Sequence, residues 1–235
     1  MPSTSLDPSS FEALTFDCYG TLVDWESGIL EAMGRVLAAH GCDVGDEERA
    51  LARFAHHESR IEAAGWRPYR EVLEEVIRSV GSEYGIDATP EEAAAFAASV
   101  GRWPVFPDTR RVLPALSERY RLAIVSNVDD DLFEGTAVAL GVEFDVVVTA
   151  QQTRSYKPHP GHFHRVLEEL DLPRSRVLHV AQSLFHDIAP ARALGFHTVW
   201  VNRRAGRGGS GATPPAEAVP DLEVPDLATL AHVMA

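Results

Sequence analysis

The sequence predicts an α/β protein: a doubly wound parallel sheet with an all-helical insert placed early in the chain. Three observations carry this reading. Short β-rich runs, ALTFDCY around Phe16, LAIVSN around Ile124, VLHVA around His179 and HTVWVN around Val199, alternate with helical patterns, and such alternation marks βαβ units whose parallel sheet is covered on both faces. FDVVVTA around Val147 supplies a fifth strand. From Trp25 to Pro104 the alternation stops and only helical periodicities are found. The expected division is therefore a core of residues 1–24 and 105–235, with a helical cap at 25–104. In a doubly wound sheet the active site sits at the carboxyl ends of the strands.

Within the insert, Ile29, Leu30, Met33, Val36 and Leu37 form one apolar helical stripe, closed by Gly41. Val72, Val76, Ile77 and Val80 form another. Thr89-Pro90-Glu91-Glu92 reads as an N-cap, a first-turn proline and a capping-box glutamate. Between Arg204 and Pro220 the composition turns to Gly, Pro, Ala and Ser, which predicts an extended surface loop. Its AGRGGSG run superficially suggests phosphate cradling, but Pro214 and Pro215 stand where a dinucleotide fold needs a helix.

Charge narrows the partners. A formal net charge of -14 repels phosphate backbones and anionic lipid, so neither a nucleic-acid nor a membrane partner is expected, and an anionic substrate needs a locally basic pocket. Cys18 and Cys42 are the two cysteines and form no disulfide framework, which suits a reducing, cytoplasmic setting. The opening MPSTSLDPSS lacks the basic start and apolar run of a secretion signal and reads as a short flexible lead.

The most informative stretch is Phe16-Asp17-Cys18-Tyr19-Gly20-Thr21-Leu22-Val23-Asp24, where an apolar strand ends in a carboxylate and turns through Gly20. Ser126-Asn127 closes LAIVSN, Lys157 lies in SYKPHP and Asp187 ends VAQSLFHD. Alone, each has a plainer role: Ser and Asn cap helices, a lysine before proline is a solvated loop charge, and an early-helix acid is stabilised by the dipole. As a set they are coherent. Lys157 beside Asp17 would favour its ionised form, Asp187 would orient the lysine, and Thr21 would fix the attack geometry by a hydrogen bond.

Taken in order, these stretches resemble the motifs of the haloacid dehalogenase superfamily over nearly the whole chain. The resemblance implies a Rossmann-like core with a helical cap, Asp17 as nucleophile, and Ser126 and Asn127 as anion holders. Most members are magnesium-dependent phosphatases, with a second aspartate two residues after the nucleophile and an acid opening the fourth motif. Tyr19 and Gln182 stand in those places. Losing both acids damages phosphate chemistry, whereas a halide leaves without a proton and a monoanionic haloacid needs less positive charge.

Asp17 to Leu22 fits the Asp, any residue, Tyr, Gly, Thr, Leu pattern of the type II 2-haloacid dehalogenases. That likeness implies no metal and no cofactor, a small anionic substrate, and Asp17, Lys157, Asp187 and Thr21 as catalytic residues. Tyr19, Arg53, Ser126, Asn127, Gln182, Ser183 and His186 would contact substrate, Arg53 as the cap arginine. Trp25, Phe54 and Trp66 are candidates for apolar walls around the halogen, and the family admits a homodimer. Departures from the pattern are Gln182-Ser183-Leu184 in place of Ser-Ser-Asn, and Phe163 in place of a tyrosine. A phosphatase with atypical motifs and a catalytically silent small-carboxylate binder remain the alternatives. His159, His162 and His164 lack an acidic partner and read as solvated or capping residues rather than metal ligands.

Overall fold

The computed structural model describes residues 6–235; the first half of the expected N-terminal lead lies outside them. Six strands form one sheet in the order β3-β2-β1-β4-β5-β6, every pairing parallel. They are β1 (Ala13–Phe16), β2 (Arg121–Ser126), β3 (Val146–Thr149), β4 (Val177–Ala181), β5 (His197–Val201) and β6 (Leu222–Val224). All residues of β1 and β4 are buried, as befits strands covered on both faces. Phe16 pairs with Ile124 on one side and Val180 on the other, so β1 is the central strand where the winding reverses. Ligands in open α/β sheets bind beyond the carboxyl ends at such a reversal.

The five expected strands are all present. β6 was not expected: it is three residues long, and it forms because Val199 and Val201 of β5 offer an open edge to Leu222 and Val224. Outside the insert, helices α5 (Pro107–Ser117), α6 (Asp130–Leu140), α7 (Ala150–Thr153), α8 (Gly161–Leu170), α9 (Ala189–Ala193) and α10 (Leu227–Met234) cover the sheet. One face packs Ala13, Ala123, Val125, Phe163 and Val166.

Between β1 and α5 the chain forms α1 (Trp25–Ala39), α2 (Glu47–Ala63), α3 (Tyr69–Glu83) and α4 (Pro90–Ala97), with no named strand. The caps follow the local sequence. Asp24 and Asp46 accept from the N–H groups of Ser27 and Arg49, and Thr89 and Glu92 form the reciprocal capping box. The chain leaves and re-enters the core side by side: Val23 pairs antiparallel with Val105, and the Asp24 N–H donates to the Pro104 carbonyl at 2.7 Å. Core packing is continuous across this junction, since Leu14, Phe16 and Leu22 belong to the same buried cluster as Ile29, Phe54 and Phe96.

Two polar clasps hold the helices over the sheet. Asp129, after β2, accepts from the backbone N–H groups of Tyr69 and Arg70 at 2.8 and 2.9 Å, which caps α3 where Pro68 cannot. Arg204, after β5, donates to Glu26 and Glu48 on α1 and α2 at 2.5 Å each. The Gly/Pro-rich stretch therefore departs from a plain surface loop. It holds no helix or strand between β5 and β6, yet Ala212, Thr213 and Arg204 are buried because it packs along the insert.

Gly28 tests this packing. A Cβ there would sit 2.3 Å from Cγ of Trp103. Gly28→Ala improves helix propensity by about 1 kcal/mol but overpacks the seam at a cost of about 1–3 kcal/mol. Thermal denaturation is expected to show a lower midpoint for the variant, against the sign of propensity.

Candidate active site

Asp17 sits immediately beyond β1, its N–H still donating to Val180 on the neighbouring strand. The Cys18 carbonyl then accepts from the N–H groups of Thr21, Leu22 and Val23, a tight turn that needs Gly20 at φ +93°. This geometry lifts the Asp17 side chain into a cleft at the strand ends, lined also by Lys157, Ser126, Gln182 and His186 from the core side. Asp17 is 7% exposed, so it is sheltered but reachable.

Lys157 is the hub. Its Nζ donates to Asp17 Oδ1 at 2.9 Å, to Asp187 Oδ1 at 2.7 Å and to the Val125 carbonyl at 2.8 Å. Thr21 donates to the other Asp17 oxygen at 2.6 Å and accepts from the Gln182 N–H at 2.8 Å, fixing the carboxylate plane. Asn127 grips the Lys157 backbone at both ends, accepting from its N–H at 2.7 Å and donating to its carbonyl at 3.2 Å. It therefore positions the lysine, although it also borders the cleft. Asp187 rides on a wide helical turn in which the Ile188 N–H reaches back to the Ser183 carbonyl, and Ser183 caps that turn by accepting from the His186 N–H.

The two carboxylates differ in electrostatics. Burial lifts Asp17 above the ordinary carboxylate range, with the pull of Lys157 and the Thr21 hydrogen bond acting against it. Burial also works against the Asp187 charge, but Lys157 and the hydrogen bond from His179 outweigh it and hold Asp187 at about 2. Lys157 is disfavoured by burial, yet the two carboxylates more than compensate and raise its affinity for the proton. Asp17 is thus the softer, more basic acid and Asp187 the fixed charge. His186 is pushed down to about 4 by burial, so its imidazole is neutral at pH 7.

The structure brings most of the sequence-predicted residues together. Asp17, Tyr19, Ser126, Asn127, Lys157, Gln182, Ser183, His186 and Asp187 all line the cleft, and Thr21 touches it through Asp17. Ser126 Oγ and Gln182 Oε1 are buried without a partner among the described residues, as expected of groups that meet a ligand. The Tyr19 hydroxyl, however, is engaged by Thr136 at 3.0 Å, which leaves its ring as the surface offered. Of the aromatic wall candidates, Trp25 lines the cleft, Phe54 packs behind it, and Trp66 lies under Arg154 instead. Leu184 and Phe163 do not line the cleft: Phe163 is fully buried against His179.

Arg53 is the departure from expectation. Its guanidinium pairs with Glu83 at 2.7 Å and stacks over Tyr84, on a part of α2 that does not border the cleft. Besides Trp25, the cap residues in the cleft are Glu58, Glu62 and Tyr69. Glu58 is 3% exposed and accepts from the Tyr69 hydroxyl at 2.5 Å. Burial drives its carboxyl up to about 8 and raises that of Glu62 well above the usual range. A signal was available: Glu58 falls on the same helical face as Leu51 and Phe54. His179 was likewise passed over. It is a polar residue within an otherwise apolar strand, and it relays Thr15 to Asp187 through contacts of 2.9 and 3.1 Å.

Comparison with known proteins places this arrangement. Haloacetate dehalogenase H-2 of Moraxella sp. (strain B) is 26% identical over 95% of this chain and 98% of that protein. The (S)-2-haloacid dehalogenase of Xanthobacter autotrophicus is 29% identical, covering 82% and 75% respectively. Among solved structures, a defluorinating L-2-haloacid dehalogenase superposes with a TM-score of 0.80 at 26% identity, over 99% of this chain and 97% of that one. The L-2-haloacid dehalogenase from Xanthobacter autotrophicus shares the fold at a TM-score of 0.79 and 24% identity, covering 95% and 98%. The family model for haloacid dehalogenase-like hydrolases matches residues 11–195, and with an aspartate, a threonine and a lysine gathered at the strand ends, the chain belongs to that family of hydrolases.

Proposed function

We propose that this hydrolase removes halide from a small 2-halo carboxylic acid through an ester on Asp17, without a metal ion. The observation that carries the reading is the contact of one buried ammonium, Lys157, with both Asp17 and Asp187 at the cleft floor. Residues 25–104 serve as the lid in this reading. Asp17 Oδ attacks the substrate carbon from the face opposite the halogen. The carbon–halogen pair of electrons departs with the halide, so no acid is needed, and an ester remains. Water then attacks the Asp17 carbonyl carbon, its proton passing to an acceptor at the cleft wall, where His186 presents a neutral imidazole. The 2-hydroxy acid leaves with inverted configuration and Asp17 is restored.

Metal independence is supported by the donor set. Magnesium prefers several hard oxygens, yet the fourth-motif acid is replaced by the Gln182 amide, and Lys157 already occupies an oxygen of each carboxylate. Among the described residues, no group of three or more His, Cys, Asp or Glu is placed to hold a metal ion. The comparisons favour the same chemistry, since the relatives named above are dehalogenases of haloacetate and 2-haloacids.

Asp17→Asn is expected to lower halide release from 2-halo acids by about 10³-fold or more, and intact-mass analysis of the wild type should show a covalent increment on the Asp17 peptide. Halide release unchanged in the variant would refute the nucleophile assignment. A pH–rate profile provides a second test. Protonated Asp17 cannot attack, and its folded pKa is raised, so kcat/KM is expected to fall with acid while the pH is still above 3.8. Lys157→Met leaves two carboxylates buried without their cation. Loss of turnover together with a thermal midpoint lowered by a stability cost of about 3–5 kcal/mol is expected.

A further inference from the structure

The two sides of the cleft present different polar groups. On the core side, the Lys157 ammonium is already shared by Asp17 and Asp187, and the lining residues Ser126 and Gln182 hold an Oγ and an Oε1 without a partner among the described residues. On the cap side, α2 presents Glu58 and Glu62, four positions apart and therefore on one helical face. Tyr69 occupies one oxygen of Glu58, whereas Glu62 has no side-chain hydrogen-bond or ion-pair partner among the described residues. Arg53 is tied to Glu83 outside the cleft and supplies no cation there. The lining thus holds four acids, Asp17, Glu58, Glu62 and Asp187, against one lysine, with His186 neutral.

From this arrangement we infer that the substrate carries a hydrogen-bond-donating group, above all an ammonium, on the side of its reacting carbon opposite the core, where Glu58 and Glu62 receive it. The inference rests on the Asp17 displacement reading and names its substrate class: an amino-bearing 2-halo acid rather than a simple 2-haloalkanoate. The carboxylate end meets the Ser126 hydroxyl and neighbouring backbone N–H groups. The amino end meets the two glutamates, whose high proton affinity falls once a cation is beside them. A simple 2-haloalkanoate offers the cap only a methyl group, which leaves the half-buried Glu62 carboxyl and the second Glu58 oxygen without a partner and selects against it. Both substrates undergo the same bond changes at Asp17, so the preference lies in binding rather than in the displacement.

Chloride release from 3-amino-2-chloropropionate and from 2-chloropropionate tests the preference, with wild type and Glu62→Gln assayed side by side. Glu62 is only partly buried, so its amide variant is a fair probe of charge in a folded protein. The expected result is a kcat/KM at least tenfold higher for the amino compound, with the ratio falling tenfold or more in the variant. Equal or reversed preference, or a ratio that Glu62→Gln leaves unchanged, overturns the inference. Calorimetry with the two hydroxy acid products separates it from the reading beneath it, because isoserine and lactate need no turnover. If neither chloride is released, the Asp17 displacement reading fails for these compounds. Tenfold tighter binding of isoserine, lost in Glu62→Gln, still supports the acidic wall, and equal or undetectable binding of the two overturns it.

Discussion

The site depends on one ammonium held among buried carboxylates. Lys157 is 1% exposed and has no bulk water to solvate it, so its charge persists only because Asp17, Asp187 and the Val125 carbonyl surround it. The dependence is mutual. Asp17 and Asp187 could not both stay ionised at this burial without the lysine between them. Asp187 is held hardest because His179 adds a second contact, and His179 is in turn fixed by Thr15. What results is an inequality between two acids: one locked as a charge, the other holding its proton more readily.

That inequality requires a dry, shaped space above the strands, which the helical insert provides. The insert is not joined to the core by a hinge alone. It shares a continuous apolar cluster with the sheet, is capped at α3 by Asp129 from the core, and is gripped by Arg204 from the loop after β5. The same loop sends Thr213 to the cleft wall, so the Gly/Pro-rich segment expected to be an extended surface loop also borders the site. Helix α2 then delivers Glu58 and Glu62 to the cleft wall rather than a cation.

Most of the core was legible because its signals are local. Alternation of apolar strands with helices, the turn after Asp17, and the motifs that carry Lys157 and Asp187 all lie within short stretches of chain, although Lys157 falls between two helices and Asp187 inside a helical turn rather than where a strand meets its loop. The capping box at Thr89 and Glu92 formed as written, for both partners lie within one turn. The cap side was less legible. Arg53 and Glu58 sit on the same helix, and a resemblance in sequence order favoured the arginine, but the rotation of α2 about its axis turns Arg53 toward Glu83 and Tyr84. β6 escaped notice because three residues carry no usable periodicity and depend on the edge of β5 for their partners.

The amino-acid sequence by itself determined the α/β alternation, the position of the insert, and the order of Asp17, Ser126, Lys157 and Asp187, since each is encoded by neighbours along the chain. Only the tertiary structure decided which carboxylate would be the basic one, which cap residues would face it, and that Asn127 would hold the lysine's backbone. Those outcomes turn on distances of about 3 Å between residues up to 140 positions apart, and on how far each is removed from water. Burial and long-range proximity are properties of the packed chain, and no local pattern specifies them.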